Sequence, residues 1–455
     1  MQLRNTRLLT AAGRIGPGVL IAIAVVAVLG IGTAGALCKL ALNCGYGHVA
    51  SDAEILRGLQ QANANAPKAS LPPGFREDVV ANGFTYPTDF AFLPGGDVLV
   101  AVKNGLVYRV TPGHPGRHVV LDLRSRIATF DYRGIMTVAV SPTFARDRRF
   151  YVLYVLRPRG HEDDTTVARF SSFVLPTRGG PATHEHVLVG SVTARTCSTL
   201  PATADCLPSD LDHDGAQAAF ARDGTIFLAT GDGGGHDTRI EPTALQAQNP
   251  NSLSGKILHI EPSGDGVPGN PWWNGDPHAN RSKVWAIGLR NPFRLTLDQR
   301  SSIPIIGDVG ANLFEEVDAA PPGANLGWPC YEGVAREALY SKTAACVSLY
   351  RKPRSALTWP LVDLPHPSAD VVVGGTFSPA GFPPPYRGAY FFGDWTRGWV
   401  RYVHIAPGDA RILERPRVFA RRAPGPVALH VGPDGGLLYY LNLNSGDLRR
   451  IAYVG

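Results

Sequence analysis

The chain has 455 residues, 44% of them apolar and 18% charged, which allows a large core and excludes extended disorder. Its net charge of +6 comes with no long Lys/Arg run and no nucleic-acid-binding motif, so nucleic acid is excluded as the partner. The high counts of Gly (51) and Pro (38) favour many turns over long helices.

At the N-terminus, Arg4, Arg7 and Arg14 precede an uncharged stretch from Ile15 to Cys38, close to the roughly 20 residues that span a bilayer. The basic flank predicts the N-terminus inside and the bulk of the chain outside. The alternative is a cleaved signal peptide with Ala34-Gly35-Ala36 at the cleavage site. Residues 1–44 are therefore expected as a signal anchor or signal peptide, and 45–70 as an Ala/Asn/Gln-rich linker. The body is expected outside the membrane, periplasmic or extracellular. The six cysteines form three close pairs, Cys38/Cys44, Cys197/Cys206 and Cys330/Cys346, none with C-x-x-C spacing. In an oxidising compartment the last two pairs read as disulfides stapling loops.

From Leu71 onward the texture becomes strand, turn, strand. Phe92-Leu93-Pro94-Gly95-Gly96-Asp97 leads into Val98–Val102, a Lys103-Asn104-Gly105 turn and Leu106–Val110. The pattern returns near the C-terminus, where Val431-Gly432-Pro433-Asp434-Gly435 leads into Leu437–Leu441, Ser445-Gly446-Asp447 and Leu448–Ile451. Partial copies lie between, at 140–156, 220–234, 297–320 and 377–405. Six such units over 71–455 predict an all-β, six-bladed β-propeller. Glu77–Ala81 is expected to complete the last blade; a pair of β-sandwiches is the alternative.

Four ordered loops carry candidate chemistry. In Asp212-His213-Asp214-Gly215, an imidazole that titrates near neutrality sits beside carboxylates, which suits a general base. The same loop imitates D-x-D-x-D-G, but Ala221 stands where a calcium hand needs Glu. Gly231-Asp232-Gly233-Gly234 follows a strand with no helix start after it, and reads as a tight turn. Arg290-Asn291-Pro292 combines a fork-shaped cation, an amide and a rigid turn, suiting a carboxylate or developing oxyanion. A structural arginine paired with Asp298 or Asp308 is the alternative. In Gly307-Asp308-Val309-Gly310-Ala311-Asn312 with Glu315-Glu316, backbone carbonyls and carboxylates offer the oxygen-only donors that calcium prefers. Asn325-Leu326-Gly327-Trp328-Pro329 closes the series.

The order His loop, G-x-R-N-P, G-D-V-G-x-N-x-x-E-E and N-x-G-W-P resembles the glucose/sorbosone dehydrogenase family over Leu71–Gly455. The resemblance implies a six-bladed propeller that binds pyrroloquinoline quinone (PQQ) and calcium and oxidises the C1 hydroxyl of aldoses. It makes His213 the base, Asp212 its orienting carboxylate, and Arg290 and Asn291 the groups facing the quinone. Gly310 and Ala311 would hold calcium through their carbonyls, with Glu316 supporting that loop. Thr396 and Arg397 match a cofactor-binding turn. The sequence departs from the glucose dehydrogenase branch at three points. Thr396 replaces a lysine, Gly425-Pro426-Val427 replaces a segment with two arginines, and Gln217 replaces an arginine. Arg397, Arg421 and Arg422 are the nearby cations in sequence. The alternatives to a dehydrogenase are a non-catalytic binding propeller, as in the related domain of hedgehog-interacting protein, and a calcium-dependent lactonase or hydrolase with Asp308 and Asn312 as candidate ligands.

Overall fold

The computed structural model describes residues 68–455, apart from 130–131, 158–165, 178, 194–195, 210–211, 236–237, 299 and 407–410. The expected membrane or signal segment, most of the linker and the Cys38/Cys44 pair lie outside the described residues. Among the described residues no helix is long and apolar enough to cross a membrane.

The propeller lies within the unit Ala66–Gly455. Strand β1 (Phe75–Ala81) stands apart in sequence from the sheet it completes. Blade 1 is β2 (Pro87–Phe92), β3 (Val98–Val102), β4 (Leu106–Val110) and β5 (His118–Asp122). Blade 2 is β6 (Ile135–Val140), β7 (Arg149–Val155), β8 (Thr166–Val174) and β9 (Thr183–Val189), with β10 (Leu207–Ser209) also paired to β8. Blade 3 holds β11 (Ala218–Phe220), β12 (Ile226–Thr230), β13 (Lys256–Ile260) and β14 (Val284–Ile287). Blade 4 holds β15 (Pro292–Leu297), β16 (Pro304–Asp308) and β17 (Phe314–Ala319). Its chain then makes a small hairpin, β18 (Tyr331–Glu332) with β19 (Ala335–Arg336), before the outer strand β20 (Val362–Pro365). Blade 5 is β21 (Val372–Phe377), β22 (Tyr390–Asp394), β23 (Trp399–Val403) and β24 (Arg417–Arg421). Blade 6 is β25 (Pro426–Val431), β26 (Leu438–Asn442) and β27 (Asp447–Tyr453), with β1 antiparallel to β27. The ring thus closes with Glu77 opposite Ile451, so first and last strands cover each other's edges.

The middle strands are apolar on both faces because blades pack against blades. Val98-Leu99-Val100-Ala101-Val102 is buried at every position. Alternation then divides side chains between neighbours. In blade 4, Ile305, Val317 and Ala319 join the core shared with blade 5, while Ile306 and Ala320 join the core shared with blade 3. Toward the axis the packing turns polar. Arg294 of blade 4 donates to Val427 O at 3.0 Å, Ala216 O at 2.7 Å and Thr88 O, binding three other parts of the ring. Asp89 accepts from Thr137 Oγ1 at 2.6 Å and Val138 N at 3.2 Å, and pairs with His430 Nε2 at 3.2 Å. Burial would raise the Asp89 pKa, but Arg294 and His430 reverse this and hold it below the usual carboxylate range.

Both expected disulfides form, Cys197–Cys206 and Cys330–Cys346. The second pins the short helix Ala344–Tyr350 to the start of the β18–β19 hairpin.

Candidate active site

Antiparallel pairing puts the loop entering each blade's innermost strand at the same end as the turn between its second and third strands. His213 precedes β11, and Asp232 follows β12. Arg290 and Asn291 precede β15, and Gly310 and Ala311 lie between β16 and β17. Thr396 and Arg397 lie between β22 and β23. The loops of His213, Asp232, Arg290, Gly310 and Thr396 therefore open at one end of the ring, and Trp328 reaches the same end through its bond to Asp232. A cavity of about 600 Å³ lined by Arg146, Arg149, Tyr151, His186 and Phe220 lies at the other end, between blades 2 and 3, and contains none of them.

At the centre is His213, 5% exposed. Its Nδ1 bonds Asp232 Oδ1 at 2.7 Å, an acceptor-only partner that puts the proton on Nδ1 and leaves Nε2 with its lone pair. The carboxylate bonded to the imidazole is thus Asp232, not the expected Asp212. The turn Gly231–Gly234 folds under the His loop: His213 N donates to Gly234 O at 3.0 Å and Gly233 N to His213 O at 2.9 Å. Asp232 also accepts from Gly234 N at 2.8 Å through Oδ1 and from Trp328 Nε1 at 2.6 Å through Oδ2. Burial raises its pKa, but His213, Arg290 and the Gly234 amide outweigh burial and hold it low. Asp232 is therefore a fixed anion beneath the imidazole.

Asp214 is the opposite case. It is fully buried, and burial pushes its pKa up to about 7, tempered by Ser209 and Arg133. Arg133, 3% exposed, enters from the loop before β6, so a cation of blade 2 reaches this end of the ring.

Arg290 is held by its own surroundings. Its backbone N–H and that of Asn291 donate to Asp308 at 3.0 and 2.7 Å, and its Nη1 donates to Val309 O at 2.9 Å. The guanidinium lies 5.5 Å from the centre of the Trp328 ring. Trp328 therefore joins two loops, one edge on Asp232 and one face on Arg290. Of the two partners in the structural-arginine alternative, Asp308 accepts the Arg290 backbone N–H, whereas Asp298 accepts from Arg300 and Ser301.

Glu332 organises the loop of Gly310 and Ala311. Its Oε1 accepts the backbone N–H groups of Ala311, Asn312, Leu313 and Phe314 at 2.7, 2.9, 2.8 and 3.0 Å. A Cβ on Gly310 would sit 1.7 Å from Phe314 O, so only glycine fits this turn. Glu316 accepts from Gly333 N, and burial together with Asp318 and Asp308 pushes its pKa well up. Between these groups is a cavity of about 10 Å³, room for one water-sized particle. It is lined by Arg290, Asp308, Gly310, Glu316, Trp328 and Glu332. Asp308, Glu316 and Glu332 line it with carboxylates, beside the Arg290 guanidinium and the Trp328 indole, and the turn's backbone carbonyls add oxygen donors of the kind that calcium takes.

Lys256 holds the long turn of blade 3. Its buried ammonium donates to Gln246 O and Ala247 O, both at 2.9 Å, and to Ser254 O. Burial pulls its pKa well down.

The loops of His213, Asp232, Arg290, Asp308, Gly310 and Trp328 are thus joined by direct bonds. Thr396 and Arg397 are tied elsewhere. Thr396 Oγ1 donates to Asp394 at 3.1 Å and Asp370 at 3.2 Å, and Arg397 bonds Asp370 through Nε at 2.7 Å and Nη2 at 2.9 Å. Sequence reasoning missed the roles of Asp232, Trp328, Glu332 and Arg133. Asp232 and Trp328 did lie inside motifs, but their partners are 19 and 96 positions away.

The fold and site together define a six-bladed propeller with a histidine–carboxylate pair and an oxygen-rich turn at one end of the ring. The chain belongs to the Glucose / Sorbosone dehydrogenase family, whose model matches residues 84–450. Among sequence relatives, the HIPL2 protein of Arabidopsis thaliana is 29% identical over 60% of this chain and 44% of its own length. The match therefore spans less than half of that relative. Aldose sugar dehydrogenase YliI of Escherichia coli is 21% identical over 84% of this chain and 94% of its own. Among solved structures, the PQQ-bound aldose sugar dehydrogenase from Streptomyces coelicolor superposes with a TM-score of 0.59 at 20% identity, covering 84% of this chain and 99% of the other. The glucose dehydrogenase described from Thermus thermophilus gives 0.62 at 22% identity, covering 83% and 99%. At these identities the structural likeness establishes the fold.

Proposed function

We propose that the protein is a calcium- and PQQ-dependent dehydrogenase that oxidises the C1 hydroxyl of aldose sugars. The observation that carries this reading is the His213–Asp232 pair. With the Nδ1 proton held by an anion, Nε2 is the basic nitrogen, and no described residue hydrogen-bonds it. His213 Nε2 takes the proton of the sugar hydroxyl, and Asp232 stabilises the imidazolium that results. Arg290, Asn291 and the Trp328 ring would receive one end of the planar anionic quinone. The Gly310 and Ala311 carbonyls, with Glu316 behind them, would hold calcium. When bound, the quinone would supply the hydride acceptor for the alcohol carbon and calcium the Lewis acid that polarises it. The two disulfides suit an exported location, with electrons passed to a respiratory or quinone acceptor.

The second reading is a non-catalytic binding propeller. Arg397, the nearest substitute for a missing cation, is engaged by Asp370. The test uses the full-length protein with calcium and PQQ, assayed by dye reduction against a panel of aldoses and simple alcohols. Turnover that needs calcium and the quinone and is abolished in His213→Ala, with quinone binding retained, is the expected result. Absence of any quinone binding, by absorption spectrum or calorimetry, refutes the dehydrogenase and favours the binding module.

A further inference from the structure

We infer that Glu332 is the positioning residue of the proposed calcium turn, an inference that rests on the reading above. Four consecutive amides, from Ala311 to Phe314, converge on its single Oε1 at 2.7–3.0 Å. In a planar trans peptide the carbonyl points opposite to the N–H of the next residue. Drawing those four N–H groups onto one oxygen therefore turns the carbonyls of Gly310, Ala311, Asn312 and Leu313 away from Glu332. These include the two carbonyls offered to calcium. Glu332 selects one face of the turn for its amides and thereby presents the other face as an oxygen donor.

Glu332 is itself fixed. It is 1% exposed, it sits on the two-stranded hairpin β18–β19, and it follows the Cys330–Cys346 disulfide by two positions. Gly333 N donates to Glu316, so the hairpin grips β17 on the other side of the same turn. The second oxygen, Oε2, is buried without a hydrogen-bond partner, and Glu332 lines the one-particle cavity together with Asp308 and Glu316. Gly310 completes the arrangement, since a Cβ there would also lie 2.8 Å from Glu332 Oε1. The excursion between β17 and β20 thus serves as a brace, carrying an anion to amides that the blade itself leaves unpaired.

The test measures calcium alone binding to the full-length, quinone-free protein by calorimetry, with terbium luminescence as a second probe. Glu332→Gln keeps a carbonyl acceptor for the four amides, whereas Glu332→Ala removes it. The expected result is a 10- to 100-fold loss of calcium affinity in E332A, the range typical of groups that orient metal ligands. E332Q should stay within a few fold of the parent. Hydrogen exchange at the 311–314 amides should rise in E332A and not in E332Q, a readout that holds even if E332A is less stable overall. E332A binding calcium as tightly as the parent would overturn the inference, and so would E332Q falling as far as E332A. Failure of the parent to bind calcium would overturn the calcium assignment and this inference with it.

Discussion

Replacing Asp232 by asparagine is the most direct perturbation of the proposed base. The carboxylate holds three donors: His213 Nδ1 at 2.7 Å and Gly234 N at 2.8 Å on Oδ1, and Trp328 Nε1 at 2.6 Å on Oδ2. The last two are obligate donors on different oxygens. An asparagine has one oxygen, so whichever way the amide faces, its NH₂ meets a fixed N–H. Losing one bond to a charged acceptor costs about 1.5–3 kcal/mol, and leaving a buried donor unpaired costs about 1–3 more. The variant should therefore lose about 3–5 kcal/mol of stability, read as a lower urea midpoint at unchanged slope. Catalysis falls for a second reason. Facing Gly234, the NH₂ donates to Nδ1, moves the imidazole proton to Nε2 and removes the base. Facing Trp328, it keeps the tautomer but loses the anion that stabilises the imidazolium. The drop in dye-coupled kcat should lie between about 10² and 10⁴, the range for misplacing or neutralising the partner of a catalytic imidazole. Parental kcat in Asp232→Asn, alongside an inactive His213→Ala, would refute the assignment of Asp232.

Gly231→Ala would place a Cβ 2.0 Å from the His213 carbonyl oxygen, forcing the two loops apart. It should cost about 3 kcal/mol or more and remove activity, by urea unfolding and dye reduction. Asp214→Asn should show a pH-dependent gain. The folded pKa of Asp214 is raised from 3.8 to about 7, so the stability tied to its proton is full below the lower value and lost as pH rises through the upper. Asn carries no such penalty, so it should be more stable than the parent by up to about 4 kcal/mol at pH 8 and nearly equal to it below pH 4, in matched urea titrations. Arg294→Met strips the donors from Val427, Ala216 and Thr88 and leaves Asp89 without its main counter-charge. A loss of about 3–5 kcal/mol is expected in the same unfolding assay, because an uncompensated buried charge remains.

Much of the architecture was legible because it follows from local patterning. Short apolar runs with Gly/Asp turns gave the blades, and Glu77–Ala81 gave the closing strand, since each signal lies within a few residues. The two close cysteine pairs were legible for the same reason. That the ordered loops build one site was read from their order; that they share an end followed once strand alternation was in hand.

What lay beyond the sequence was who touches whom at that end. Asp212 adjoins His213 in the chain, yet the carboxylate on the imidazole is Asp232, because a turn places its side chain where a neighbour's cannot go. Glu332 carries no signal in the sequence, and its role comes from the excursion from blade 4 that folds back and sets it under four amides. Arg397 reads as a spare cation until Asp370, 27 positions earlier, pairs with it. Local sequence specifies strands and turns because backbone conformation depends on nearest neighbours and side-chain periodicity. The bonding partners of a buried charge are chosen only when the ring closes, since burial makes every such group find a partner across loops far apart in the chain.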